Sequence, residues 1–343
     1  MKRFLGLILT AAMLVGIFPS AYAEGYSYNI GSAQLWQDSD IYEVSADVSA
    51  NGAAADKASA VIGFYDAENR LIAAVTESVS ADVERLRRYV QIPDRNVKEA
   101  RVFLWDSETG MTPVAEKAEI TEIGQKQNQS ANTGSGGGGG TASTRCIGFA
   151  NKLGIMTSGG ASNTITRGEA AKMSVAMLGR QKVAETLKNE TGLSDVEIGS
   201  ELCGIANYCN QRGYLTADDG KFRPDDYITY GEFIKMMVEA LGYHPFAEAE
   251  GGWPIGYLER ADDVGIMEGV RLTLNSCVTK ADAAQMIYNS ALSPIVETTG
   301  VITDDNGKCY PVYEMQDGSS GRKYETWMTK QHKAYYVEGY VSN

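Results

Sequence analysis

Three phrases in this chain, "ITRGEAAKM" from Ile165, "ITYGEFIKM" from Ile228 and "VTKADAAQM" from Val278, follow one pattern. Such a repeat restricts the fold more than any composition can, because a unit that recurs buries the same face each time and needs its copies to do so. In each phrase a Thr (Thr166, Thr229, Thr279) is followed three positions later by an acid (Glu169, Glu232, Asp282). This is the capping box, in which hydroxyl and carboxylate each take an orphan backbone N–H of a helix start, Asp282 being a shorter-armed version. Beyond the box lie Ala170, Met173, Ser174, Met177 and Leu178, then Phe233, Met236, Met237, Ala240 and Leu241, then Ala283, Met286, Ile287, Ser290 and Ala291. Their i, i+3, i+4, i+7, i+8 spacing is one buried helix face, three times over.

Each phrase is preceded by helical text that ends in a Gly (Gly154, Gly213, Gly265) and an apolar pair, the signal of a left-handed C-cap. The unit is therefore helix, Gly cap, loop, capped second helix, at a spacing of about 50 to 60 residues. Three faces with Met in the same register predict a pseudo-threefold all-α bundle within one chain. The residue after each Thr, which reads Arg167, Tyr230 and Lys280, is explained by neither capping nor core. At the first helical position it is expected to point outward beside free N–H groups and the positive end of the dipole, where an anion is welcome. Arg can fork onto a carboxylate, Lys meets it as a point charge, and Tyr can only stack or donate one hydrogen bond. The plainer alternative is a solvated helix start.

The rest of the chain divides by its texture. Residues 1–23 read as a secretory signal, with Lys2 and Arg3, an apolar run from Phe4 to Phe18 and a small-residue site at Ala21-Tyr22-Ala23. No Cys follows that run, so a lipid anchor at this end is not expected. No later stretch approaches the roughly 18 apolar residues of a membrane span. Residues 24–123 alternate at period two in short runs such as "IYEVSADVSA" and "ARVFLWDS", with a tight hairpin at Ala67-Glu68-Asn69, and predict an all-β sandwich of immunoglobulin-like or fibronectin-like type. Trp105 is read as part of its core rather than as a sugar-stacking platform. Residues 124–144 hold a run of five glycines and read as a flexible Gly/Ser-rich linker of ~20 residues, with ends about 25 Å apart on average. The repeats occupy 145–297, at about 145–180, 195–243 and 251–297. Residues 298–343 are strand-like, with a hairpin at Asn306-Gly307. They either pack on the repeats or open a further module.

The stretch "DDGKFRPDDYITYGEFIKMMVEALGY" from Asp218 to Tyr243 closely resembles the signature of S-layer homology domains, a recurring "G-x-F-x-P-[DN]-x-x-[IV]-T-R-A-E-F" phrase. Gly220, Phe222, Pro224, Asp225, Ile228, Thr229, Glu232 and Phe233 match it, whereas Tyr230 and Gly231 replace the usual Arg and Ala. The other two phrases resemble flanking copies without the full lead-in. The resemblance implies a pseudo-trimeric helical prong whose inter-repeat grooves bind a secondary cell-wall polysaccharide, often pyruvylated, and tether the protein to the wall. It implies that Arg167 and, more weakly, Lys280 contact the acidic sugar, and that the groove at Tyr230 is weakened or altered. The strand-rich text resembles a module found in exported clostridial proteins beside such repeats.

A net charge of −13 argues against nucleic acid as a partner. The five cysteines, Cys146, Cys203, Cys209, Cys277 and Cys309, lack CxxC spacing and read as small buried hydrophobes, with one disulfide possible outside the cell. Two His, no nucleophile elbow and no phosphate loop leave no catalytic constellation, so neither an enzyme nor a metal or cofactor is expected. Asp218, Asp219, Asp225 and Asp226 read as an acidic exposed turn, since their spacing is not that of a calcium loop. Three classes remain open: a cell-surface anchor, a carbohydrate-binding adhesin that works through its sandwich, and the anchoring part of an enzyme whose catalytic region lies elsewhere.

Overall fold

The computed structural model describes residues 27–126 and 141–342, apart from the short stretches 52–56, 81–83, 94–95, 108–109, 157–158, 304–306, 308, 317–324, 333–334 and 338–339. The export signal and the five-glycine run read from the sequence lie outside the described residues. The chain divides into two units, Met1–Lys126 and Gln127–Asn343.

In the first unit, β1 (Tyr28–Asp38), β2 (Ile41–Ala50), β3 (Lys57–Tyr65), β4 (Leu71–Ser80), β5 (Arg85–Gln91), β6 (Glu99–Trp105), β7 (Ala118–Ile120) and β8 (Ile123–Gln125) build two sheets. Their orders are β5-β2-β1-β8 and β4-β3-β6-β7. All neighbours are antiparallel except β1 and β8. Period-two alternation places Val44, Ala46 and Val48 of one sheet in a common core with Ala60, Ile62, Phe64, Val102 and Leu104 of the other. Trp105 is buried in a smaller cluster with Val61 and Phe103. The β3–β4 hairpin turns on Asn69, whose φ of 59° is a left-handed conformation that Asn tolerates better than most residues. Gly124 and Gln125, assigned to the linker by sequence, pair with Trp36 and Gln37.

The second unit is helical at its centre. It contains α1 (Thr141–Lys152), α2 (Arg167–Met177), α3 (Gln181–Glu185), α4 (Glu201–Gln211), α5 (Tyr230–Ala240), α6 (His244–Ala249), α7 (Ile255–Asp263) and α8 (Lys280–Leu292). Helix α1 starts inside the segment expected to be linker. Gly154, Gly213 and Gly265 end α1, α4 and α7 with φ of 68°, 74° and 77°. The next N–H of each reaches back five residues, from Ile155 to Ala150 O, Tyr214 to Cys209 O and Ile266 to Ala261 O, at 2.8–3.0 Å. All three capping boxes carry both of their hydrogen bonds, the Asp282 version included.

The first helix of a repeat does not pair with the second helix of the same repeat. Helix α4 packs on α2, α7 on α5, and α1 on α8, so each repeat is completed by its predecessor and the first by the last. Facing residues show it: Phe149 meets Tyr288 edge-on at 5.2 Å, Ser174 Oγ lies 3.6 Å from Cys209 Sγ, and the Tyr257 hydroxyl donates to Glu239 at 2.6 Å. The helix face read from sequence is buried at Ala170, Met173, Ser174, Met177, Phe233, Met236, Met237, Ala240, Ala283, Met286, Ile287, Ser290 and Ala291, while Leu178 and Leu241 are only half-buried.

All five cysteines are free thiols, so the disulfide left open by the sequence is not formed. Cys146, Cys203 and Cys209 are buried and Cys309 is exposed. Burial pushes the Cys209 thiol up to about 12. A maleimide reagent is therefore expected to label Cys309 within minutes in the folded protein and Cys209 only after denaturation, read by peptide mass mapping. Labelling of Cys209 at a comparable rate without denaturant would contradict this packing.

After the last repeat, β9 (Val296–Thr303) and β10 (Cys309–Met315) form an antiparallel hairpin in which Thr303 faces Cys309, followed by α9 (Trp327–His332) and the pair β11 (Tyr335–Val337) and β12 (Tyr340–Ser342). The sequence suggested strands throughout, and α9 corrects it. This segment packs on the helices: α9 lies against α8, the Tyr243 hydroxyl donates to Pro294 O, and Trp327 is buried.

Candidate functional site

The three phrases meet through their backbones. Ile165 N–H donates to Val278 O at 2.9 Å, Val278 N–H to Ile228 O at 3.2 Å, and Ile228 N–H to Ile165 O at 3.1 Å, a closed cycle of three buried residues. Each helix start is then locked into the loop of another repeat. The first free N–H groups of α2, at Arg167 and Gly168, go to Asp226 O and Pro224 O; those of α5, at Tyr230 and Gly231, go to Ser276 O and Leu274 O; those of α8, at Lys280 and Ala281, go to Asn163 O and Ala161 O, all at 2.8–3.0 Å. The orphan donors that a helix start normally leaves are satisfied by protein.

This corrects the outward-facing position expected for Arg167, Tyr230 and Lys280. They are 3%, 2% and 8% exposed, and no free N–H pair stands beside them. The sequence argument treated the helix as isolated, but the neighbouring loop crosses its N-terminus and covers the first side chain. The three lie at three separate junctions rather than in one pocket.

At the first junction the Arg167 guanidinium donates to Phe222 O at 3.0 Å, Thr216 O at 3.1 Å and Glu232 Oε1 at 2.5 Å, and it lies 5.5 Å from the Phe222 ring centre. Glu232 Oε2 meanwhile accepts the Thr229 N–H at 3.0 Å. The acid that caps the second phrase thus neutralises the cation of the first. Burial lowers the Arg167 pKa from its ordinary value, and the Glu232 charge opposes that shift. At the second junction the Tyr230 hydroxyl donates to Val270 O at 3.0 Å. At the third, a Cβ on Gly159 would collide with the Lys280 ammonium.

The loop residue four before the acceptor of each first N–H is Phe222, Leu272 or Gly159. The Arg167 guanidinium stands over the Phe222 ring, and Lys280 uses the room left by a residue without a side chain. Among the described residues the Lys280 ammonium forms no ion pair, in contrast to Arg167.

Sequence reasoning missed two residues here. Arg223, between Phe222 and Pro224, holds a left-handed φ of 57°, and its guanidinium is 46% exposed at 3.9 Å from Glu232 and 4.0 Å from Asp226. Asp195 fixes that loop by accepting the Phe222 and Arg223 N–H groups at 2.9 and 2.7 Å. The phrase pattern leaves the position of Arg223 unspecified, and Asp195 stands far upstream, so neither carried a local signal. Asp218, Asp219, Asp225 and Asp226 are exposed, and among the described residues no group of His, Cys, Asp and Glu is arranged to hold a metal ion. No described helix is long and apolar enough to cross a membrane.

Residues 195–234, which contain Asp195, the loop of the first junction and the start of α5, match the S-layer homology domain. The chain is 28% identical over 146 residues to the middle cell wall protein of Brevibacillus brevis, covering 42% of this chain and 14% of that protein. It is 27% identical over 140 residues to a cell surface protein of Thermoanaerobacter kivui, with 40% and 18% covered. A surface layer protein of Brevibacillus choshinensis is 30% identical over 112 residues, with 32% and 10% covered. The chain therefore spans less than a fifth of the length of these relatives. Among solved structures, a glycosyl hydrolase family 2 member from Bacteroides cellulosilyticus aligns over 38% of this chain and 21% of that one at 13% identity, with a TM-score of 0.21 that supports no inference.

Proposed function

We propose that this chain, a secreted protein of the cell surface that carries an S-layer homology domain, is held at the wall by its helical unit, which binds an acidic secondary cell-wall polysaccharide at the junctions between repeats. The observation that carries the reading is Lys280. Its side chain is buried at the third junction and, among the described residues, has no carboxylate beside it, so a carboxylate-bearing sugar that enters there gains a charge-assisted hydrogen bond. Arg167, which already has Glu232, holds the first junction together, and Arg223 at its mouth is the guanidinium that can reach a ligand. Tyr230 offers no cation in the varying place of the second junction. The ion pair that Arg167 already has thus reverses the order suggested by the phrase alone, in which Arg167 came first.

The pseudo-threefold reading is supported by the cycle through Ile165, Ile228 and Val278 and by the three equivalent helix pairings. The immunoglobulin-like reading of the first unit is supported by the division of β1, β2 and β5 against β3, β4, β6 and β7. The sandwich acts as a spacer or as a display surface, and no catalytic role is assigned to either unit.

The test is sedimentation of the purified chain with native wall sacculi, before and after acid removal of ketal groups. Binding to untreated walls, weakened about tenfold or more by Lys280→Gln, is expected for loss of one charge-assisted contact of ~1.5–3 kcal/mol. Absence of sedimentation with untreated walls would sink the anchor.

A further inference from the structure

The second junction has Tyr230 where the others have Arg167 and Lys280, and it carries a different kind of contact surface. Trp253, just before α7, is 45% exposed, whereas Trp105 and Trp327 are buried. Its indole is fixed from two sides: it meets the Tyr257 ring edge-to-face at 5.8 Å, and it lies against Gly231 at the start of α5. A Cβ on Gly231 would stand 3.2 Å from the indole, 3.3 Å from Leu274 O and 3.4 Å from Leu274 Cδ2. The Ala expected at that place in the repeated phrase would therefore crowd the ring. At the first junction the corresponding Gly168 faces Pro224 and Leu202 instead, so the same place is there lined by aliphatic residues. Gly stands in this place in both phrases where a loop carbonyl comes close, Pro224 O in one and Leu274 O in the other, and in the second an indole also lies against it.

A half-exposed indole whose orientation is set by its neighbours has little side-chain freedom left to lose on binding. Its π face carries partial negative charge and attracts the weakly positive C–H hydrogens on the flat face of a pyranose ring. With its hydroxyl engaged by Val270 O, Tyr230 offers no charge to a sugar acid, and the indole presents a ring face that needs none. We propose that Trp253 is a stacking platform for a neutral pyranose unit, so that the helical unit reads a polysaccharide through chemically unlike subsites, acidic at Lys280 and neutral at Trp253. The idea builds on the anchoring reading and adds a second class of sugar to it.

Two probes separate the inference from the reading on which it rests. The full chain is titrated calorimetrically with soluble wall polysaccharide stripped of its acidic groups and is sedimented separately with native sacculi. The expected result is saturable binding in the wild type, weakened about fivefold or more in Trp253→Ala, largely kept in Trp253→Tyr, and weakened in Gly231→Ala, where the ring is displaced. Circular dichroism identifies any variant that fails to fold, and Trp253→Tyr against Gly231→Ala still decides the case if Trp253→Ala does. Sedimentation of the wild type with native walls without calorimetric binding of the stripped polymer overturns the platform and leaves the anchor standing. Calorimetric binding without sedimentation supports the platform and sinks the anchor. Equal titration of wild type and Trp253→Ala overturns the platform outright.

Discussion

Arg167→Ala is expected to lower the stability of the helical unit by about 3–5 kcal/mol, the range for removal of one partner from a buried ion pair. The substitution strands three groups at once: Glu232 loses its nearer guanidinium, and the carbonyls of Phe222 and Thr216 lose their donors. Urea unfolding followed by far-UV circular dichroism measures the loss. The paired change Arg167→Met with Glu232→Gln is expected to recover part of it, because an apolar side chain of similar length leaves no charge uncompensated. A loss below about 1 kcal/mol in the single variant would show that Arg167 is a solvated helix start after all.

The second large effect concerns closure of the set of repeats. Phe149→Ala removes the ring that meets Tyr288 and is expected to cost about 3–5 kcal/mol, as large-to-small changes of a buried Phe do. Its signature is where the damage falls. Amide exchange should quicken in α8, at the opposite end of the repeat region, as much as in α1, because each is the other's packing partner. Unchanged protection in α8 would contradict that pairing.

Much of this architecture was legible in the residues. Capping boxes, Gly caps and the Met-bearing faces are local signals of fixed spacing, and the structure places every one of those residues in a helix start, a helix end or the helical core. Strands β2, β3, β4, β5 and β6 were visible through alternation. What escaped the sequence depended on partners. Strand β1 is interrupted by a register shift between Ile30 and Ala33, so its alternation breaks, and β8 is a three-residue strand whose only support is β1. Helices α3 and α6 are too short for a periodic stripe.

The varying place in the phrase was misjudged for the same reason. Its surroundings come from another repeat's loop, which no window around Arg167, Tyr230 or Lys280 contains. Once that loop is in view, Phe222, Gly159 and Trp253 account for choices that the phrase alone left arbitrary.

Pairing of the first helix with the last also sets when the unit can exist. A chain that emerges from its N-terminus onward exposes α1 long before α8, and the cycle through Ile165, Ile228 and Val278 cannot form until the third phrase has followed the other two. Contacts so distant in sequence form late. A chain of which only the first two phrases have emerged therefore lacks both the closed cycle and the partner of α1, and the helical unit is completed in one step when the last repeat follows.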